Sequence, residues 1–245
     1  MVYQGSKDRI AKFIVPIIQN YINAYHIKNY YEPFVGGANV IDKVICENKT
    51  GSDYNEYLIK LLRYIQQDNH ISIAPENCTF EHYSEVRDSY RKRDGRFSDE
   101  YISLIGYCAS YGGRFFDGGY ARDRTGRNMY QERIKNLREQ ARKLYGISFE
   151  CRSYTTINPN EYVGCLFYLD PPYNNTKAYS KQDIDYNFFY NWCRALSKNN
   201  IVIISEYNMP PDFTCIWCKE RNIMQKSDRL VADKAVEKLF MKITP

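Results

Sequence analysis

Asn29-Tyr-Tyr-Glu-Pro-Phe-Val-Gly-Gly37 sets the architecture of this chain. Its aromatic and β-branched residues read as a strand that runs into two glycines, and a helical pattern follows over 39–47. Upstream, Ile10, Phe13, Ile14, Ile17, Ile18, Tyr21, Ile22 and Tyr25 recur at helical spacing. An amphipathic helix is therefore predicted just after Ser6, with Pro16 off the apolar stripe as a possible kink. Downstream, a short strand reaching Asp53 precedes a helix over 54–67 with Tyr57, Leu58, Leu61, Leu62 and Ile65 on one face. Strand, helix, strand, helix is how a parallel sheet begins. The alternation resumes late in the chain, with strands over 148–154, 164–169 and 200–206, a helix over 186–196, and shorter strand candidates at 213–218 and 238–243. Between these halves lie helical patterns at 80–93 and 100–111, a glycine-rich loop at 112–119 and a basic helix over 130–145. The expected fold is α/β, a Rossmann-like sheet with helices on both faces, built from 1–78 and 146–245 around a mainly helical insertion at 79–145.

The chain has 245 residues, 44% hydrophobic and 26% charged, which are globular proportions. The longest apolar runs, 164–169 and 201–204, are too short to span a bilayer. The opening Met1-Val-Tyr-Gln-Gly-Ser-Lys-Asp-Arg9 lacks the layout of a secretory signal. A soluble cytoplasmic protein with no membrane attachment is the expectation. Eight scattered cysteines, mostly within apolar stretches, suit reduced thiols. Cys215-Ile-Trp-Cys218 is the only close pair, and three histidines at ordinary spacing give it no ligand partners. No metal is expected, and the pair reads as part of a strand.

The charge is uneven. Residues 85–143 hold 14 Lys or Arg against 9 Asp or Glu, while the remainder balances at 20 of each, so this one central segment carries the whole excess of +5. Eleven of those 14 cations are arginine, whose planar fork suits phosphates and guanine edges. A solvated helical face would look similar, so charge alone only nominates nucleic acid as a partner.

Two stretches carry chemistry. Glycines at the carboxyl end of the first strand let a ligand approach the backbone at the sheet's switch point, and Asp53, 17 residues after Gly36, can accept hydrogen bonds from ribose hydroxyls. The third glycine of a dinucleotide loop is missing, so a nucleoside without pyrophosphate fits better. The sharper signal is Leu169-Asp170-Pro171-Pro172-Tyr173, directly after an apolar strand. Two prolines hold the backbone extended, remove two amide donors and leave the neighbouring carbonyls able to accept. A carboxylate, a carbonyl and an aromatic face together match the exocyclic amine of a planar base. A rigid surface turn is the simpler reading of a bare Pro-Pro. It loses here because the motif follows a buried strand in a chain with a nucleoside-type pocket.

Tyr3-Gln-Gly-Ser-Lys7, Glu32-Pro-Phe-Val-Gly-Gly37, Asp53-Tyr-Asn55 and Asp170-Pro-Pro-Tyr173, in that order, resemble the Dam-type, alpha-group DNA adenine-N6 methyltransferases over nearly the whole chain. The resemblance implies an S-adenosylmethionine-dependent methyltransferase sheet, with 1–78 and 146–245 binding the cofactor and 79–145 recognising the target. It places the cofactor against Tyr3, Lys7, Glu32, Pro33, Phe34, Gly36, Gly37, Asp53 and Asp170, with Tyr154 beside its adenine. Lys7 is expected near the methionine carboxylate. Asp170, Pro171, Pro172 and Tyr173 are the implied catalytic residues, acting on an adenine flipped out of double-stranded DNA. Where the family usually carries an Asn-Gly-containing segment, this chain has 110–122 instead, and Arg114, Arg122, Arg124 and Arg127 are the candidates for DNA contact. A monomer or weak dimer is expected. Three alternatives compete: the same fold acting on RNA or a protein amide, which Asp170 in place of Asn disfavours; a catalytically silent DNA-binding relative, disfavoured by the intact tetrapeptide; and a nicotinamide oxidoreductase, which lacks its phosphate loop.

Overall fold

The computed structural model describes residues 1–122, 125–173, 184–222 and 234–243. Among them run strands β1 (Asn29–Glu32), β2 (Asn48–Asp53), β3 (Ile147–Cys151), β4 (Leu166–Leu169), β5 (Ile201–Ser205), β6 (Thr214–Asn222) and β7 (Lys234–Met241). They form one sheet in the order β3-β2-β1-β4-β5-β7-β6. The first five are parallel, and β7 lies antiparallel to both β5 and β6. The helices are α1 (Asp8–Ala24), α2 (Glu56–Gln67), α3 (Phe80–Lys92), α4 (Asp99–Cys108), α5 (Met129–Ala141) and α6 (Tyr186–Leu196). Five of them start at a side-chain acceptor, Asn55, Thr79, Ser98, Asn128 or Asp185, that satisfies an orphan N–H of the first turn.

The two-residue period of the strands sorts the core into two layers. Tyr30, Leu166, Tyr168, Ile203 and Leu239 join the apolar stripes of α1 and α2 on one face. Phe167, Leu169, Val202, Ile204 and Phe240 join Phe189, Trp192, Cys193 and Leu196 of α6 on the other. Helices thus cover both faces, and β4, buried on both, is a continuous apolar run. The insertion packs into the first layer: Tyr83, Val86, Ile102, Ile105, Ile134 and Leu137 belong to the same core as Ile14, Leu58 and Leu62.

Three local expectations are corrected. No helix forms over 39–47, which is a string of turns with Ala38 N–H donating to Val35 and Lys43 N–H to Val40. Val40, Ile41 and Val44 are buried as their spacing implied. Ala38 is left-handed at the entrance (φ +55°), and the Asn39 amide is committed to Ser6 Oγ at 2.7 Å. β1 ends at Glu32 because Pro33 has no N–H to offer the ladder. The basic helix stops at Ala141. The 215–218 pair lies in β6, where a bulge between Cys215 and Trp217 breaks regular alternation, and both thiols are exposed and free.

Candidate active site

The order of the strands reverses between β1 and β4, and the carboxyl ends of those two strands carry both sequence motifs. From β1 the chain turns through Gly36, which is left-handed (φ +48°) and would drive a Cβ to 3.0 Å from the Tyr3 ring. A Cβ on Gly37 would come within 2.8 Å of both Tyr3 Cβ and the Asn39 amide, so these glycines let the N-terminal segment lie across the turn. Gly36 N–H donates to Asp53 Oδ2 (3.3 Å) and Asn55 N–H to Asp53 Oδ1 (3.0 Å). Burial raises the Asp53 pKa to about 6, against those backbone donors. Among the described residues no cation pairs with it.

Phe34 is half-buried against Tyr154, ring centroids 5.1 Å apart, and Tyr154 is itself buried with Phe189 and Trp192. Burial pushes the Tyr154 hydroxyl up to about 12. Glu32 points into the sheet's interior, where its carboxylate accepts from Tyr30 Oη at 2.6 Å, and Pro33 is buried beside it. Burial raises the Glu32 pKa well above the usual carboxylate range despite that donor.

At the end of β4 a second group assembles. Lys7, the residue preceding α1, is buried and places Nζ 2.8 Å from Asp170 Oδ1, 3.8 Å from Glu237 Oε2 of β7 and 4.3 Å from the Tyr173 ring centre. At 2.8 Å the Lys7 ammonium and the buried Asp170 Oδ1 form a close ion pair. Burial raises the Asp170 pKa more than the Lys7 charge lowers it. The Tyr173 hydroxyl donates to Glu237 Oε2 at 2.8 Å and lies 2.8 Å from Ser205 Oγ. Pro172 O accepts from the Tyr186 hydroxyl, whereas among the described residues no donor reaches the Pro171 carbonyl. That contrast matters, because Pro171 is the carbonyl next to the carboxylate.

The arginines are held differently. The loop after α4 is closed at its base by Tyr111 N–H to Gly119 O and Ala121 N–H to Ala109 O, both 2.8 Å. Within it Arg114 is half-buried, and Gly113 (φ +66°) would set a Cβ 2.8 Å from Val2 O, so the loop backs onto the Tyr3 segment. Arg122 is exposed and lies 4.6 Å from the Phe80 ring centre. Arg127 makes a two-pronged pair with Glu132 at 2.9 and 2.6 Å. Arg124 lies outside the described residues.

Sequence reading missed Glu237, Ser205 and Tyr107. Tyr107 of α4 packs on Tyr3 at 6.0 Å and accepts from the Asn55 amide at 3.0 Å, so the insertion contributes a side chain beside Asp53. Glu237 did leave a trace, since it shares a face of β7 with buried Leu239.

Among the described residues no cluster of metal-ligating side chains occurs, and no helix is long and apolar enough to cross a membrane. The seven-stranded mixed sheet with helices on both faces is that of an S-adenosylmethionine-dependent methyltransferase. A model of the D12 class N6 adenine-specific DNA methyltransferases matches residues 3–207, and the chain belongs to that family. It is 24% identical over 220 residues to the Type II methyltransferase M.MjaIII of Methanocaldococcus jannaschii, covering 75% of this chain and 73% of that one. The protein is an enzyme that methylates adenine in DNA, and the family implies a methyl donor of the S-adenosylmethionine type.

Proposed function

We propose that Asp170 and the Pro171 carbonyl accept the two amino hydrogens of an adenine everted from double-stranded DNA, with S-adenosylmethionine as the donor. The observation that carries this reading is the juxtaposition at the end of β4 of the Asp170 carboxylate, its pKa raised by burial, with a Pro171 carbonyl that no donor among the described residues reaches. Adenine N6 is a weak nucleophile because its lone pair is delocalised into the ring. Accepting both hydrogens draws the nitrogen towards a tetrahedral form and frees that pair. The acceptors are fixed before substrate arrives, Asp170 by its ion pair with Lys7 and the Pro171 carbonyl by the ring of the following Pro172, so little reorganisation is needed. The raised pKa of Asp170 also makes it the better holder of the proton that N6 must lose. An amine inside a duplex is out of reach, so the base must be flipped, and the Tyr173 ring offers a face to stack on.

The donor set fits the cofactor. Asp53 is a buried carboxylate with no cation of its own among the described residues, suited to a ribose diol, and half-buried Phe34, backed by the buried Tyr154 ring, offers aromatic surface for an adenine. We assign Tyr3, Lys7, Gly36, Gly37 and Asp170 to that lining, with Glu32, turned inward to Tyr30, and Pro33 behind it. When bound, S-adenosylmethionine supplies an electrophilic methyl group on a sulfonium. We assign 1–78 and 146–245 to this chemistry and 79–145 to target recognition, with Arg114, Arg122 and Arg127 as DNA contacts. The likeness to a type II enzyme supports a restriction-modification setting.

The test is to incubate the purified protein with unmethylated genomic DNA and labelled donor and to map modified adenines by single-molecule sequencing. N6-methyladenine at one short sequence is expected. Label confined to RNA, or cofactor binding without transfer, would overturn the reading.

A further inference from the structure

Glu237 is a carboxylate only 3% exposed, on a strand far in sequence from every motif. Burying such a group is costly unless it is paired, so its partners indicate what it is for. Two site residues are among them: it accepts from the Tyr173 hydroxyl at 2.8 Å and stands 3.8 Å from the Lys7 ammonium. Ser205, on the neighbouring β5, holds the same tyrosine hydroxyl from a second direction at 2.8 Å.

The consequence falls on Asp170. Lys7 has two carboxylates beside its ammonium, Asp170 Oδ1 at 2.8 Å and Glu237 Oε2 at 3.8 Å. A carboxylate has about four lone-pair sites, and one ammonium contact at a fixed place leaves the others open. Here Glu237 shares that ammonium and takes the Tyr173 proton, which restrains both side chains beside Asp170.

We infer that Glu237 is a positioning residue for methyl transfer: it holds the Lys7 ammonium and the Tyr173 ring so that Asp170 keeps an oxygen able to accept the substrate's amino hydrogen. This rests on the function proposed above for Asp170. It makes Glu237 act through its neighbours, without touching substrate.

Glu237→Gln keeps the size of the side chain and an acceptor for the Tyr173 hydroxyl but removes the charge that restrains Lys7. Its kcat, counted per cofactor-binding site, is expected to fall about tenfold, with KM for donor and DNA within about threefold. In a Lys7→Met background, where no ammonium stands beside Asp170, the same substitution is expected to change kcat by less than about twofold. A loss of equal size in both backgrounds would make Glu237 merely structural and overturn the inference. So would an unchanged rate, provided Asp170→Ala abolishes transfer. If Asp170→Ala still methylates at the normal rate, the functional reading itself has failed. Should Glu237→Gln not fold, Tyr173→Phe removes only the hydroxyl at the other end of the bond. It is expected to lose about fivefold in kcat with donor affinity intact, and a full rate there overturns the inference.

Discussion

The carboxyl edge of the sheet and the basic insertion hold charge in opposite ways. At the edge, the side chains of Lys7, Asp170 and Glu237 are 8%, 18% and 4% exposed and lie within 4 Å of one another's charges through Lys7. On the insertion, Arg127 is 64% exposed in its pair with Glu132, and Arg96 is 46% exposed between Asp94 and Glu85. Buried charges of this kind are fixed before substrate binds and are little screened by salt. Exposed pairs exchange readily, which suits the DNA-contact role proposed for this surface. Arg133 breaks the pattern. It is partly buried, and its guanidinium donates to Cys108 O (3.0 Å) and Ser110 O (2.7 Å), closing the end of α4 where the glycine-rich loop leaves. One of the insertion's cations is therefore a clamp for the backbone.

The sharpest break of that contrast lies where the regions meet. Gly113→Ala forces a side chain into a left-handed position and against Val2 O, and is expected to cost about 2–3 kcal/mol and to weaken donor binding as Tyr3 is displaced. Thermal melting with and without donor checks both effects. Arg133→Met takes the guanidinium from Cys108 O at the end of α4 and from Ser110 O, which keeps the Gly113 N–H at 3.2 Å. It is expected to cost about 2 kcal/mol, read by urea denaturation, and to lower DNA affinity far less than removal of an exposed arginine on a phosphate.

A pH series probes the buried side. Asp53, its pKa raised to about 6, must be ionised to accept from both ribose hydroxyls, so donor affinity is expected to fall about tenfold between pH 7.5 and pH 5. Calorimetric titration measures it, and a flat profile would remove Asp53 from the cofactor site. The sign is opposite for the unliganded fold. A carboxyl whose pKa is raised on folding binds more protons folded than unfolded, so its contribution becomes more favourable as pH drops from 7 towards 4. The smallest effect is at the exposed pair. Arg127→Ala is expected to leave stability within about 0.5 kcal/mol and to lower the salt dependence of DNA binding by about one counterion.

How much was legible follows the range of the forces involved. Local periodicity placed α1, α2 and α6 and the strands from β1 to β5 closely, because apolar spacing and capping residues act within a few positions. It failed at 39–47, where the apolar spacing is helical but Ala38 is left-handed and the Asn39 side chain is drawn off to Ser6. The two motifs at the carboxyl ends of β1 and β4 could be read because backbone chemistry, glycine freedom and proline's missing donors, is written in single residues. The surroundings of those motifs could not. That Lys7 lies against Asp170, that Glu237 comes from β7 to share it, and that Tyr107 reaches Asn55 from the insertion are consequences of strand order and helix packing across much of the chain. Arginine counts likewise did not separate Arg133, bound to carbonyls, from Arg122, exposed above Phe80.

The most direct test is single-turnover methyl transfer by Asp170→Ala on unmethylated duplex DNA, with DNA affinity measured alongside. The rate is expected to fall at least about a thousandfold, as for a lost preorganised acceptor at a reacting group, while the dissociation constant for DNA changes by less than about threefold. Transfer at the unmodified enzyme's rate would contradict the account.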